Sequence, residues 1–438
     1  MSKPLSHLPI FSFSLLLILS FSFLPIISDA WSATYYVDAT NGNDSNNGLS
    51  ESTVWKTIAK VNASSFNPGD QILFRRGQTW REQLTVPSSG SAGNPITFGA
   101  YGSGAKPIID ASNLITPGTS WTAATPTIWT ATVTTEPKIV FFNGTWGTKV
   151  ATQADCTGTG KWHWAVNVLS VYSASDPDTA YMSPGIEVGA RDEAVLNAKN
   201  YVTFDGLHFR RGNSTDAGNI MSSGNHVTIR SCESSYGVHH GIIYTGSGDN
   251  LLTLSNIHHN GTKLDSSGVF GYHDAGTAGH ENIISYNNVY NNYSYGIQLL
   301  SNYYIIEYND VYDNGNLTYM GIGIEIIDWD NIGYGRYNII RYNKAHGQKS
   351  ALNNGEGIVL DDFAACNSVY YNISYGNDGP GIGLWRSNNN TVYNNVTYGN
   401  ALNSSGTLTT KTEIALDAGA ITLTVCPIRV RQCSRAVM

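Results

Sequence analysis

From about residue 200 onward, short runs of alternating apolar and polar residues recur along the chain and predict a stack of β-strands. Copies of one phrase, of which VTFDGL and ISYNNV are examples, begin at positions 202, 227, 252, 284, 306, 340, 370 and 393. Successive copies lie at least 22 residues apart, with longer intervals in between. A short repeat with occasional additions is typical of a solenoid that carries loop insertions on one side.

The last apolar residue of each copy is expected to point into the core. These residues form the predicted column Leu207, Cys232, Ile257, Val289, Val311, Ala345, Ile373 and Val396. Asparagines recur just before this position, and stacked asparagines can hydrogen-bond from one coil to the next. The predicted members of this ladder are Asn287, Asn309, Asn343 and Asn394.

A second strand follows each phrase and begins at a glycine, as in GIIYTG at 241 and GIEIID at 323. The residue after the glycine is apolar in every copy: Ile242, Val269, Ile297, Ile324, Ile358 and Ile382. Strict alternation places these residues inward and the residues that follow them outward. Two strands per coil, without helical periodicity, predict an all-β parallel β-helix. The leucine-rich repeat phrase LxxLxLxxN is absent, which argues against that rival solenoid.

The rest of the chain divides into four further regions. Residues 1–30 read as a signal peptide, because an uncharged apolar run precedes small residues at a cleavage site; an uncleaved anchor is the alternative. Residues 31–110 predict an N-terminal cap and first coils, with Thr53–Val61 as the capping segment. Residues 111–195 read as a β-rich insertion, which precedes the repeats at 196–405. Residues 406–438 form an irregular tail that gives no convincing cap.

The insertion holds a group of tryptophans: Trp121, Trp129, Trp146, Trp162 and Trp164. They predict either the insertion's own small core or one wall of a saccharide groove, since indole rings stack on sugars.

Composition narrows the function classes. A net charge of −8, without any lysine and arginine cluster, gives no footprint for nucleic acid. The five cysteines show no zinc or disulfide spacing, and Cys232 is expected to be a buried apolar residue. We expect a secreted protein, extracellular or periplasmic, that is a monomer without a membrane span in the mature chain.

The entry segment carries a family resemblance. The runs YYVDATNGNDSNNGLSESTVWKTIAKVN (35–62), NPGDQILFRRGQTWREQLTV (67–86) and AGNPITFGAYGSGAKPII (92–109) resemble the start of secreted β-helix proteins of the pectate-lyase-like superfamily. The resemblance implies a right-handed parallel β-helix and an extracellular polysaccharide as partner. That superfamily holds polysaccharide lyases and glycoside hydrolases, as well as non-catalytic binders and structural fibres, so the reaction has to be argued from the site.

Two carboxylates are expected side by side on the outward face. Glu325 is outward in its strand, and Asp361 lies on the next coil, two residues further along. With coils about 4.8 Å apart and about 3.3 Å per residue, their Cα atoms would be about 8 Å apart. Further polar and aromatic residues are expected around the pair, on neighbouring coils and at strand ends: Tyr272, His273, Asp274, Gln298, Asp328, Asp330, Asp362, Trp385 and Arg386.

Two reactions fit this surface. In the elimination favoured here, Ca²⁺ is held by Asp328, Asp361 and Asp362, and Arg386 (or His273 or Lys263) removes the proton at C5 of a uronate. The resemblance makes this plausible, since calcium and a basic residue recur among pectate-lyase-like enzymes.

In the hydrolytic alternative, Glu325 and Asp361 act as acid and base. The Asp361-Asp362 pair is similar to polygalacturonase-like enzymes, although their GHG and R-x-K signatures are missing. Tyr272, Gln298, Trp385 and Lys263 are the predicted substrate-binding residues in either reaction. A non-catalytic carbohydrate-binding or cell-surface protein is the third possibility.

Overall fold

The computed structural model describes residues 32–115, 121–315, 320–350, 354–401 and 414–416. The predicted signal peptide and nearly all of the tail therefore lie outside the described residues. Within them, no helix is long and apolar enough to cross a membrane.

Three long parallel sheets run along the described solenoid, and each coil contributes one strand to each sheet. Sheet I comprises Thr34–Val37, Gln71–Arg75, Ile96–Tyr101, Val202–Asp205, Val227–Arg230, Leu251–Thr253, Asn282–Ser285, Tyr304–Glu307, Ile339–Arg341, Ser368–Tyr370 and Thr391–Tyr393. Sheet II comprises Thr79–Trp80, Ile108–Asp110, His208–Arg210, Glu233–Ser235, Asn256–His258, Asn288–Tyr290, Asp310–Tyr312, Lys344–His346, Ile373–Tyr375 and Val396–Tyr398. Sheet III comprises Leu84–Thr85, Val195–Asn197, Gly218–Ser222, His240–Tyr244, Ser267–Ala275, Tyr295–Asn302, Ile322–Ile326, Ile358–Leu360, Ile382–Leu384 and Ile414–Leu416. The predicted right-handed parallel β-helix is confirmed.

The prediction of two strands per coil is wrong, because each phrase turns a corner and supplies strands to two sheets. In ISYNNV, Ile284 belongs to sheet I and Val289 to sheet II. Tyr286 lies between them with a φ of 57°, a left-handed conformation that redirects the chain. Tyr308 and Tyr342 adopt the same φ in the next two coils.

The inward column of sheet III is buried as predicted, from Ile242 to Ile382. The residues of the other predicted column are buried as far as Ala345, but Ile373 and Val396 are 37% and 54% exposed. The strand register pairs Ala345 with Ser374 rather than with Ile373. Aligning copies on their last apolar residue therefore shifted these two coils by one position, which reverses the face of every side chain. Leu207 and Cys232, although buried, lie two positions before Phe209 and Ser234, the residues in register with Ile257.

Asparagines form hydrogen-bonded ladders at the corners between the sheets. In one ladder, the Asn309 side chain donates to Asn343 and Asn343 donates to Asn372, each at 3.0 Å. Asn395, and not the predicted Asn394, continues this ladder by accepting from Asn372. A second ladder runs through Asn260, Asn292, Asn314, Gln348, Asn377 and Asn400, and a third through Asn338, Asn367 and Asn390.

The entry of the solenoid is covered by a short helix, Ile58–Asn62, whose Ile58 and Val61 are buried in the main core. The Thr57 hydroxyl accepts a hydrogen bond from the Lys60 amide and caps its N-terminus. This helix occupies the end of the predicted capping segment.

Residues 112–189 build two smaller sheets beside the first coils. One comprises Ser112–Ile115, Val140–Phe142, Thr145–Trp146 and Ile186–Gly189; the other comprises Thr122–Thr125, Ile128–Thr132, Thr148–Lys149, Lys161–Ala165 and Val168–Tyr172. A 3-10 helix, Gln153–Asp155, and a short helix, Pro177–Ala180, complete the region. Its tryptophans belong to two apolar clusters: Trp162, Trp121, Trp129 and Trp164 contribute to the region's own core, whereas Trp146 packs on Phe141 and Tyr236.

A buried charge network joins this region to the first coils. Glu187, fully buried, accepts from Arg81 at 2.5 Å and from Arg211. Asp110, equally buried, is paired with Arg210 at 2.7 Å and with Arg211 at 3.2 Å. Because each buried carboxylate faces arginine, the two parts are held in a fixed arrangement.

Candidate functional site

One outward row of sheet III changes from apolar to acidic along the solenoid. Register pairs its members from coil to coil: Met221, Ile243, Phe270, Gln298, Glu325, Val359 and Gly383. Gln298 and Glu325 are direct neighbours, so an amide and a carboxyl meet at the middle of the row.

Glu325 is outward, as predicted, but it is only 2% exposed. The Gln298 Nε2 atom donates to its Oε2 at 2.7 Å, and Ser267 Oγ in turn donates to Gln298 Oε1 at 2.9 Å. Burial, followed by the negative charge of Asp361, raises the pKa of Glu325 well above its usual value. The protonated form of Glu325 is therefore favoured, and Gln298 holds its carboxyl in a fixed orientation.

Asp361 lies two residues beyond Val359, which pairs with Glu325. This register gives the predicted Cα separation from Glu325 of about 8 Å. The Asp361 side chain is half-buried. Burial raises its pKa to about 6, although the Asp362 amide donates to its Oδ1 at 2.8 Å and partly opposes the shift.

A third carboxyl, Glu356, was missed by sequence reasoning. It is 4% exposed, and its Oε2 atom has no hydrogen-bond partner. Burial raises its pKa to about 8. Strict alternation would place Glu356 inward, two residues before the buried Ile358, so the period-two pattern gave no signal for it. In the structure the equivalent residue Tyr295 packs with the outward Val359 and Trp385.

Several acidic side chains lie close to the hydroxyl of Tyr295. Its phenol pKa is raised by burial and then by the charges of four carboxylates, Glu325, Asp265, Asp361 and Glu356. Its hydroxyl contacts Met320 Sδ at 3.2 Å. Four carboxylates close enough to act on one hydroxyl define an acidic centre.

Two cavities open along this face and share Asp265 and Trp329 as walls. The first, of about 370 Å³, is lined by Leu264, Asp265, Ser294, Tyr295, Met320 and Trp329. The second, of about 430 Å³, contains two predicted binding residues, Tyr272 and Gln298, and extends to Met221. We call the two cavities together the groove; its described lining comes from the repeats and not from the tryptophan-containing insertion.

The predicted calcium ligands are not brought together. The Asp328 carboxylate is buried and accepts the amides of Ile332 and Gly333 at 3.0 Å, so it closes a turn. Asp362 is paired with Arg386. Among the described residues, no group of three or more acidic, histidine or cysteine side chains is arranged to hold a metal ion. Two members of the predicted ligand set, Asp328 and Asp362, already have protein partners, and the calcium site stays a prediction.

The predicted bases also have partners. Arg386 faces Asp362, and Lys263 lies 3.9 Å from Asp216. The His273 ring is stacked between Tyr272 and Tyr334, with centroids 4.0 and 4.4 Å away. The side chain of Asp274 lies outside the described residues.

The indole of Trp385 lies over Gly383, a position without a side chain. A Cβ atom at Gly383 would lie 2.8 Å from Trp385 Nε1, so the glycine leaves room for the indole over the strand. The indole packs beside Tyr295, Ile322 and Val359, and it hydrogen-bonds to Glu356.

Comparisons with known proteins agree with this architecture. Residues 193–397 match the family model of the right-handed beta helix region. A lacto-N-biosidase of Bifidobacterium longum subsp. longum is 42% identical over 94 residues, which are 20% of this chain and 6% of that protein. The chain thus spans only a small part of this curated relative.

Two solved structures show the same fold at low sequence identity. XylC, solved in a complex with xylose, is similar with a TM-score of 0.63 and 14% identity over 82% of this chain and 70% of its own. A structure described as a glycoside hydrolase has a TM-score of 0.54 and 10% identity over 88% of this chain and 96% of its own. The three parallel sheets, the matched repeat region and these similarities identify the fold of the chain as a right-handed parallel β-helix.

Proposed function

We propose that this protein is a carbohydrate-active enzyme that hydrolyses a glycosidic bond in the groove on sheet III. The observation that carries the proposal is the pair of Glu325 and Asp361, two outward carboxyls on neighbouring coils with pKa values raised to different extents. Pairs of carboxyls whose surroundings separate their pKa values are the usual acid and base of glycoside hydrolysis.

Glu325 is assigned as the general acid. Its buried carboxyl keeps its proton, and Gln298 fixes the orientation from which that proton would pass to the glycosidic oxygen. Asp361, with a pKa of about 6, is ionised at neutral pH and is assigned to the opposite role, as base towards water or as nucleophile. The negative charge of Asp361 also raises the pKa of Glu325, so the pair favours the state with a single proton.

Elimination, the reaction favoured by the sequence, has less support. A uronate would meet the negative charges of Asp265 on the groove wall and of Asp361 beside Glu325, and its own charge would be repelled. In that reaction Asp328 would help to hold the Ca²⁺ that neutralises the uronate, and Arg386 would remove its proton. Both side chains already have partners in the protein. The curated relative that matches a short part of the chain, a lacto-N-biosidase, is consistent with hydrolysis.

The proposal is tested by product analysis of the purified protein on neutral and uronate-containing oligosaccharides. We expect reducing ends to be released without an unsaturated uronate, and Glu325→Gln and Asp361→Asn each to lower kcat by about a thousandfold. Activity should rise as pH increases through about 6, because Asp361 must lose its proton. Glu307→Gln is the matched control, since that carboxylate faces outward on sheet I and pairs with Arg341.

Each alternative has its own outcome. Unsaturated uronate products would establish a lyase and overturn the assigned roles. Binding of an oligosaccharide without turnover, unchanged by Asp361→Asn, would establish a non-catalytic binder.

A further inference from the structure

The second cavity of the groove has an apolar floor beside the acidic centre. Met221, Ile243 and Phe270 are consecutive members of the outward row, and they lead directly to Gln298 and Glu325. Three large apolar side chains in succession on an outward face, lining a cavity of about 430 Å³, indicate a binding surface for an apolar group.

Aromatic rings hold this floor in place. Phe270 stacks on His240 with centroids 4.5 Å apart, and Tyr272 lies against Phe270 at 5.6 Å. Tyr272 is itself stacked on His273. Because these side chains are fixed by one another, the cavity is formed before any ligand enters, and little conformational entropy is lost on binding.

The polar groups of the cavity stand around the apolar floor, with Asp216, Asp265 and Gln298 among them. Burial lowers the pKa of His239 to about 4, so its imidazole is neutral and can donate one hydrogen bond and accept another. Thr245 supplies one hydroxyl. A sugar ring, with several hydroxyls around its edge, would leave most of them without partners on Met221, Ile243 and Phe270.

We propose that this cavity is an aglycone subsite that binds a planar aromatic group, attached to the sugar whose bond is cleaved at Glu325 and Asp361. The proposal rests on the proposed hydrolytic function. The apolar floor determines which ligand fits. An aromatic ring can lie on the apolar row and stack with Phe270 and Tyr272. A phenolic oxygen at the ring's edge can then face His239 or Gln298.

The first experiment uses naphthol, which has no bond to hydrolyse, and measures its binding to the intact protein by calorimetry. We expect saturable binding that Phe270→Ser weakens by about tenfold, the loss of one ring contact with its buried area. Met221→Gln should weaken binding as well, since it adds a polar group to the floor without removing an aromatic ring. Tyr308→Ser, which removes an exposed ring on another face, is the control and should leave binding unchanged.

The second experiment compares naphthyl and methyl glycosides as substrates. Phe270→Ser should raise KM for the naphthyl glycoside and leave the methyl glycoside unchanged. Absence of naphthol binding, or binding that neither floor variant weakens, would overturn the subsite. If naphthol binds as expected while no glycoside is cleaved, the proposed hydrolysis fails and the assignment of the cavity stands.

Discussion

The corners of the solenoid and the groove on sheet III both bury polar side chains, but they do so in opposite ways. At a corner, Asn343 accepts from the backbone and side chain of Asn309 and donates to Ile306 and Asn372. In the groove, Glu356 has a buried oxygen without a partner, and Glu325 lies near the charge of Asp361. The buried amide at the corner has hydrogen-bond partners for its oxygen and its nitrogen. The buried carboxyls Glu356 and Glu325 are instead more stable when they are protonated.

Within a single coil, the polar groups that stabilise the fold therefore differ from the polar groups that are suited to catalysis. A buried amide that both donates and accepts gains from a low-dielectric surrounding, whereas a buried carboxyl without a cation is destabilised in its charged form. Carboxyl groups with raised pKa values therefore destabilise the folded protein when they ionise. Such groups are common at catalytic sites. The contrast with the charge network at Glu187, where every buried carboxylate faces arginine, strengthens this interpretation.

The largest effect is expected from breaking a ladder. Asn343→Ala removes one acceptor and one donor that serve four buried groups, and we expect it to lower the free energy of unfolding by about 5 kcal/mol. Denaturant unfolding followed by circular dichroism measures the loss. Asn288→Ala is the matched control, because the exposed Asn288 makes a single bond to Asn256 and should cost less than about 1 kcal/mol. Equal losses in the two variants would show that the ladder contributes no special stability.

An effect of nearly the same size, but dependent on pH, is expected from neutralising Glu356. The folded-state pKa of Glu356, about 8, lies above the ordinary value of 4.5, so the folded protein retains a proton that the unfolded chain releases. Its stability should therefore fall as pH rises between these values, by about 1.4 kcal/mol per pH unit, and level off above pH 8. Glu356→Gln, which is neutral at every pH, should remove this part of the fall in Tm. An unchanged pH dependence in the variant would mean that Glu356 ionises freely in the folded protein.

The repeat and its inward faces were predictable because alternation has a period of two and every coil repeats it. The column ending at Ile382 needed nothing more than local sequence. The exposure of Ile373 and Val396 could not be predicted from the repeat. An apolar residue can lie one position away from the buried position as well as in it. Only the ladder through Asn343 and Asn372 fixes the register there.

The site was predictable in part for the same reason. Glu325 and Asp361 are outward and on neighbouring coils, which alternation alone requires. Their burial depends on Tyr295, Trp329 and Trp385, which reach the site from other coils or loops. The Asp328 oxygens accept hydrogen bonds from the amides of Ile332 and Gly333 in a turn, and the pattern of polar and apolar residues could not predict that turn.

The smallest effect is expected at the surface beside the ladder. Tyr286, Tyr308 and Tyr342 stack on one another outside the corner, with ring centroids 4.9 and 5.0 Å apart. The rings are about half exposed, and their tyrosines occupy left-handed corners that the ladder already holds. Tyr308→Asn keeps a residue suited to positive φ and removes two ring contacts, so we expect a loss of about 1 kcal/mol, measured as a shift in the denaturant midpoint. A loss as large as that of Asn343→Ala would instead assign the stability of this corner to the aromatic stack rather than to the buried amides.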